Sequence, residues 1–199
     1  MGVPMPIDVA GKAKGFLLKP SATFRATKEE SLSSAFQYYV ILLVVFSVVT
    51  FVVYALVFTS IPAVMSGRLP EGFGAELSIY IAFFLFMVRF YGVFLTGLVY
   101  HVFVLLFGGT QGAARTIRTL MYASTPAIIL GWIPIIAVVG DVWTFILFII
   151  GIRENQDMPL GRAVLVAILP LILSLISAGL IVLAVSTFYR ARLHALTGI

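Results

Sequence analysis

The sequence predicts an all-α fold, a polytopic bundle of transmembrane helices, and three observations lead there. Of the 199 residues, 61% are hydrophobic and only 11% charged, against roughly 25% charged in an ordinary soluble domain. The mean hydropathy is +1.13. The apolar residues are gathered into stretches of about twenty or more, the length that ~30 Å of hydrocarbon demands of a helix. A core of ~200 residues cannot hide so much apolar surface behind so few polar side chains. Lipid is therefore the main solvent.

The elements follow in chain order. Residues 1–34 form a basic N-terminal region, with Lys12, Lys14, Lys19, Arg25 and Lys28 set against Asp8, Glu29 and Glu30. Within it "KAKGFLLKPSATF" mixes cations with Phe16, Leu17, Leu18 and Phe24, a composition suited to a segment lying on a headgroup surface. Ser21, just after Pro20, is placed to cap a short helix running through Glu30. The bundle proper is expected over 35–189, with a short tail at 190–199. Residues 35–58 make a first span without formal charge. The loop "TSIPAVMSGRLPEGFGAELS" follows, with Arg68 as its one basic residue. Residues 78–107 are a second apolar run, long enough that it must tilt or protrude. It contains Arg89 and His101.

"GGTQGAARTIRT" reads as a turn leading into an amphipathic helix. It lacks the Gly-Lys-Ser/Thr ending of a phosphate loop, and no strand precedes it. Residues 120–151 would make a single helix of ~48 Å at 1.5 Å per residue, too long for one untilted crossing. Pro126, Gly131, Pro134 and Gly140 interrupt that stretch. Two short spans joined by a tight turn at 139–141 fit better there than the alternative, a single tilted, kinked span. After "IRENQD", where Asp157 is placed to cap the next helix, residues 163–189 form a last span kinked at Pro170. Trp132, Trp143, Tyr122 and Tyr189 read as anchors at the membrane interfaces.

Lysine and arginine placement sets orientation. With five spans and a cytoplasmic N-terminus, the inner segments hold nine of these cations and the outer ones three. Four spans score the same, because the last loop and the C-terminus simply exchange sides. Charge thus makes the N-terminus cytoplasmic and leaves the C-terminus open. No secretory leader is expected, since the first apolar run is about twice the length of such a segment.

The stretch "YASTPAIILGWIPIIAVVGDVWTFILFIIGIRE", followed by "GRAVLVAILP", resembles the body of a Yip1-domain protein. "GGTQGAARTIRTLMYAS" resembles the segment that introduces it, and "LLKPSATFR" the family's opening Pro-x-x-x-Phe element. The likeness runs from about residue 17 to 183. It implies five transmembrane helices, a cytoplasmic N-terminal region, a C-terminus across the membrane, and a non-enzymatic role. Eukaryotic members sit in Golgi and ER membranes and engage small GTPases in vesicle traffic. Their acidic Asp-Leu-Tyr-Gly-Pro element has no counterpart here, and the N-terminal tail is short and basic. The chain looks closer to prokaryotic members.

Few residues are candidates for chemistry. Arg89 stands alone in "FMVRF". An arginine at mid-helix costs on the order of 3 kcal/mol or more, so it is expected to face the bundle interior, water or a partner. Asp141, the one acidic residue within 120–151, is its candidate partner. Backbone carbonyls, Tyr91 and Thr96 complete the expected polar network. His101 lies about 120° around the helix from Arg89 at ~100° per residue, and reads as an interfacial histidine. Ser124 has no nucleophile-elbow glycines, and Gly140-Asp141 has no second aspartate to share a proton. With no cysteine and no His-Glu-x-x-His, neither zinc nor a disulfide is expected. No catalytic residue, metal site or cofactor is predicted.

The expectation is a non-enzymatic, multi-pass protein of the cell membrane, or of Golgi and ER membranes in a eukaryote. It would act as a membrane-organising or trafficking-like adaptor. Lys12, Lys14, Lys19, Arg25 and Lys28 would touch anionic lipid or a protein partner at the cytoplasmic face. Ser174 and Ala178 form a small-x-x-x-small pair that would allow a homodimer. The net charge of +5 speaks to orientation and anionic lipid rather than nucleic acid. The alternative, from another functional class, is a small transporter or channel with Arg89 lining a polar cavity.

Overall fold

The computed structural model describes residues 8–64 and 72–197. Among them are eight helices and no strand: α1 (Val9–Leu18), α2 (Pro20–Ala26), α3 (Leu32–Val64), α4 (Phe73–Leu106), α5 (Ala113–Ala123), α6 (Thr125–Leu130), α7 (Pro134–Asn155) and α8 (Leu160–Thr197). Four of these, α3, α4, α7 and α8, are long and apolar enough to cross a membrane. The expected third crossing is different. It is a broken leg of two short helices, α5 and α6, which runs back from α4 and returns as α7.

Local chemistry sets most of the ends. α3 outruns its expected end at residue 58 and runs to Val64; within this extension Ser60 turns its hydroxyl back onto the Leu56 carbonyl at 2.6 Å. Gly72, in the left-handed region at φ 84° that favours glycine, opens α4. The loop around Arg68 lies outside the described residues. Pro20 begins α2 at its first turn, a position where its missing N–H is no loss. Ser21 therefore lies inside the helix and does not cap it; no side chain caps α2. Asp8 caps α1 instead, accepting from the Gly11 N–H at 2.8 Å. Asp157, expected to cap α8, sits at φ 52° and pairs with Lys28. The expected tail at 190–199 continues as the last turns of α8 through Thr197.

The turn expected at 139–141 is not there. The chain turns at residues 131–133, and Pro134 opens α7. Gly140 serves a different purpose, as a contact residue inside α7. A Cβ on it would lie 2.9 Å from the Pro126 carbonyl oxygen and 3.2 Å from Ala127 Cα. Without side-chain bulk there, α7 lies directly on α6.

The core sits around α5, where every residue from Thr116 to Ala123 is buried. Glycines let its neighbours close in. A Cβ at Gly97 of α4 would meet Ile117 Cγ1 at 2.8 Å. One at Gly151 of α7 would meet Thr119 Cγ2 at 2.5 Å and the Phe24 ring at 2.7 Å. The N-terminal helices join this core rather than lying apart from it. Phe16 and Phe24 are fully buried, their rings 4.9 Å apart. Phe16 stacks on Tyr122 at 4.8 Å and approaches Tyr38 of α3 at 6.2 Å. Tyr122, expected at a membrane interface, is instead the fully buried centre of this cluster. α8 is the opposite case: from Leu171 to Val185 every residue is exposed.

Truncating Phe24 to alanine opens a cavity where α2, α5 and α7 meet. The expected loss is about 3–5 kcal/mol. Thermal melts of the purified chain in detergent should show it as a clear fall in Tm, while Val182→Ala on the bare stretch of α8 leaves Tm within error.

Candidate functional site

Two places gather polar side chains. The first is the end of the bundle where α1, α2 and the start of α5 meet, and its centre is Glu30. Lys12 Nζ donates to Glu30 at 2.6 Å and lies 5.8 Å from the Tyr122 ring centroid. The Tyr122 hydroxyl donates to the same carboxylate. Arg118, buried on α5, donates to the backbone carbonyls of Lys28 and Glu30. These carbonyls belong to the connection between α2 and α3. Arg25 reaches Glu154 of α7 at 2.7 Å, and Lys28 reaches Asp157. The Glu154 hydrogen bond and charge raise the Arg25 guanidinium above its ordinary value. Arg115 completes the set with Glu29 at 3.1 Å.

Behind these pairs lies a second polar layer. His101 Nδ1 and Thr116 Oγ1 are joined at 3.0 Å. Gln156 donates to the same Thr116 oxygen at 3.1 Å, and Asn155 donates to Thr119 Oγ1 at 2.7 Å. Sequence reasoning missed this layer. Its trace was there in "ARTIRT", where Thr116 and Thr119 stand one turn apart on a face also flanked by arginines.

Of the five expected contact cations, Lys12, Arg25 and Lys28 are used inside the structure. Lys14 and Lys19 have no ion-pair partner among the described residues and are exposed, as is Leu18 at 68%.

The second place is a groove of about 390 Å³ between α4 and α7. α4 supplies Arg89 and Thr96, α7 supplies Asp141 and Thr144, and Ser124 with Ala127 forms the floor. Arg89 is half-buried at the middle of its 34-residue helix. Its Cζ stands 4.8 Å from the Phe46 ring centroid, a cation–π contact. One guanidinium nitrogen occupies the space a Cβ on Gly131 would approach to 3.0 Å. Tyr39 donates to the Arg89 carbonyl at 2.8 Å. The groove thus brings together three of the four residues expected to form the intramembrane network. Tyr91 is not among them: it is 65% exposed, with its ring against Phe90. Among the described residues, Arg89 and Asp141 share the groove without pairing with each other or with any other charge.

The Glu30 end yields a sharp expectation. Arg118→Leu removes a charged donor from two backbone carbonyls and should cost about 2–3 kcal/mol. Arg118→Lys should recover less than half, because a single ammonium lacks the fork that spans two acceptors. Tm values of the three proteins in detergent check both statements.

The family model for the Yip1 domain matches residues 14–181, a range that takes in Arg118, the groove and Pro170. No curated protein matches the chain, and no solved structure does. With that match over most of its length and four apolar helices able to span a bilayer, the chain belongs to the Yip1 domain family of multi-pass membrane proteins.

Proposed function

We propose that the protein is a non-enzymatic membrane-organising adaptor whose working surface is the N-terminal end of the bundle, facing the cytoplasm. The observation that carries this reading is the division of labour among its cations. Lys12, Arg25 and Lys28 are matched by Glu30, Glu154 and Asp157 and hold α1 and α2 against the core. Lys14 and Lys19 remain outward with Leu18 between them. Lys14 and Leu18 are four residues apart, so both lie on one face of α1. Two cations around an exposed leucine suit the surface of an anionic bilayer, where each cation near the surface contributes about 1 kcal/mol. The excess of basic residues at this end is the cytoplasmic signature. The same rigid surface, with Glu29 exposed beside it, offers a docking face to a protein partner.

The competing reading, a transporter or channel, rests on the groove at Arg89. Its floor at Ser124 and Ala127 is backed by the buried residues of α5 and α6, which is the argument against a through-path.

The chain has no cysteine, so single labels report cleanly. A nitrobenzoxadiazole dye on Leu18→Cys should shift to the blue in vesicles containing anionic lipid, and less in neutral vesicles. Adding Lys14→Glu and Lys19→Glu should remove the difference. A water-like spectrum in both vesicles would remove the lipid-contact reading. Val93→Cys, in the groove, should resist an impermeant maleimide from either side; rapid labelling would favour the conduit.

A further inference from the structure

The groove at Arg89 does not end at Thr96. That residue also lines a second cavity of about 340 Å³ between α4 and α8, walled by Leu95, Val99, Pro170, Leu171 and Ser174. The two form one furrow on the flank of the bundle, charged at one end and apolar along the other. α5 and α6 back its charged end, and α4 and α8 wall its apolar end. The flank itself is apolar, with Val88, Leu95 and Val142 exposed around the opening.

The charged end is unusual for such surroundings. Ionisable side chains at membrane depth are expensive and are normally paired. Here a guanidinium and a carboxylate share a cavity, and neither has an ion-pair partner among the described residues. A ligand that satisfies both must carry an anion and a cation together. A ligand that fits the rest must also carry a hydrocarbon chain.

We propose that this furrow binds a zwitterionic phospholipid that enters sideways from the bilayer. Its phosphate lies on Arg89, whose planar fork matches phosphate oxygens. Its ammonium lies on Asp141. An acyl chain runs along Leu95, Val99 and Leu171, and the Thr96 hydroxyl stands at the junction, where the glycerol ester oxygens lie. A phospholipid with an anionic headgroup and no ammonium would satisfy Arg89 but leave Asp141 facing negative charge. The site is separate from the basic surface of the adaptor reading, and either can fail without the other.

The test is native mass spectrometry of the purified full chain, titrated with phosphatidylethanolamine, phosphatidylglycerol or diacylglycerol. Phosphatidylethanolamine should bind at least about tenfold more tightly than diacylglycerol, and more tightly than phosphatidylglycerol. Arg89→Gln should weaken phosphatidylethanolamine binding by about tenfold, while Arg89→Lys, which keeps the charge but not the fork, recovers only part of it. Asp141→Asn, at an exposed position that leaves the fold intact, should erase the preference over phosphatidylglycerol and retain binding of both. Leu171→Trp, which fills the apolar end, should weaken every lipid. Equal binding of diacylglycerol and phosphatidylethanolamine would overturn the proposal, as would a preference that survives Asp141→Asn. Displacement of the lipid by soluble glycerophosphoethanolamine at equal concentration would overturn it in favour of a site for a water-soluble zwitterion.

Discussion

Arg118 donates to the carbonyls of Lys28 and Glu30, and the position of everything before α3 depends on that grip. A guanidinium taken out of water is costly unless its donors find acceptors. The carbonyls of the α2–α3 connection that are turned onto it need donors for the same reason. Each need answers the other, and in doing so pulls the α2–α3 connection onto α5. Glu30 is thereby set under the Tyr122 hydroxyl and beside Lys12. Phe16 and Phe24 then close over the same tyrosine. The polar contacts and the aromatic cluster thus fix the same course of the chain.

The arrangement reverses that of a soluble domain. The polar helix is central, and the oily helices around it face outward. In a bilayer, apolar surface gains little by leaving lipid for protein, so helices associate through close packing and hydrogen bonds. Gly97, Gly140 and Gly151 allow the close approach. Thr116, Thr119, Asn155 and Gln156 supply the bonds. With most of its polar side chains bonded, α5 has no need of an apolar exterior to be stable among apolar neighbours.

Long apolar runs made α3, α4 and α8 legible in the sequence, because a membrane-length helix suits them best. The α6–α7 boundary was misread because Gly140-Asp141 has the composition of a turn. Within lipid, glycine marks close contact as often as a bend, and Pro134 was the better sign of a helix start. Tyr122 and the N-terminal phenylalanines were misread in a similar way. Aromatic residues among cations suit a headgroup surface, and only the long-range bonds of Arg118 and Glu30 send them inward. At the groove, Arg89 and Thr96 were legible together, since seven residues make about two turns and keep one face. Tyr91 is two residues on, about 200° around, so helical periodicity alone argues against it. The Thr116–Gln156 and Thr119–Asn155 bonds each join residues dozens of positions apart, and no local pattern announces such pairs.

Pro170 is buried where α8 leaves the bundle, and its ring removes the N–H that would bond back to Val166. Beyond it, the exposed arm is held by protein at one end only. Its slope is then governed by the elastic match between its apolar length and the hydrocarbon around it. A thin bilayer lays the arm over and a thick one draws it upright. Leu171 and Ser174, at the root of the arm, form one bank of the furrow. Any change in the tilt of the arm therefore moves one bank of that furrow against the other.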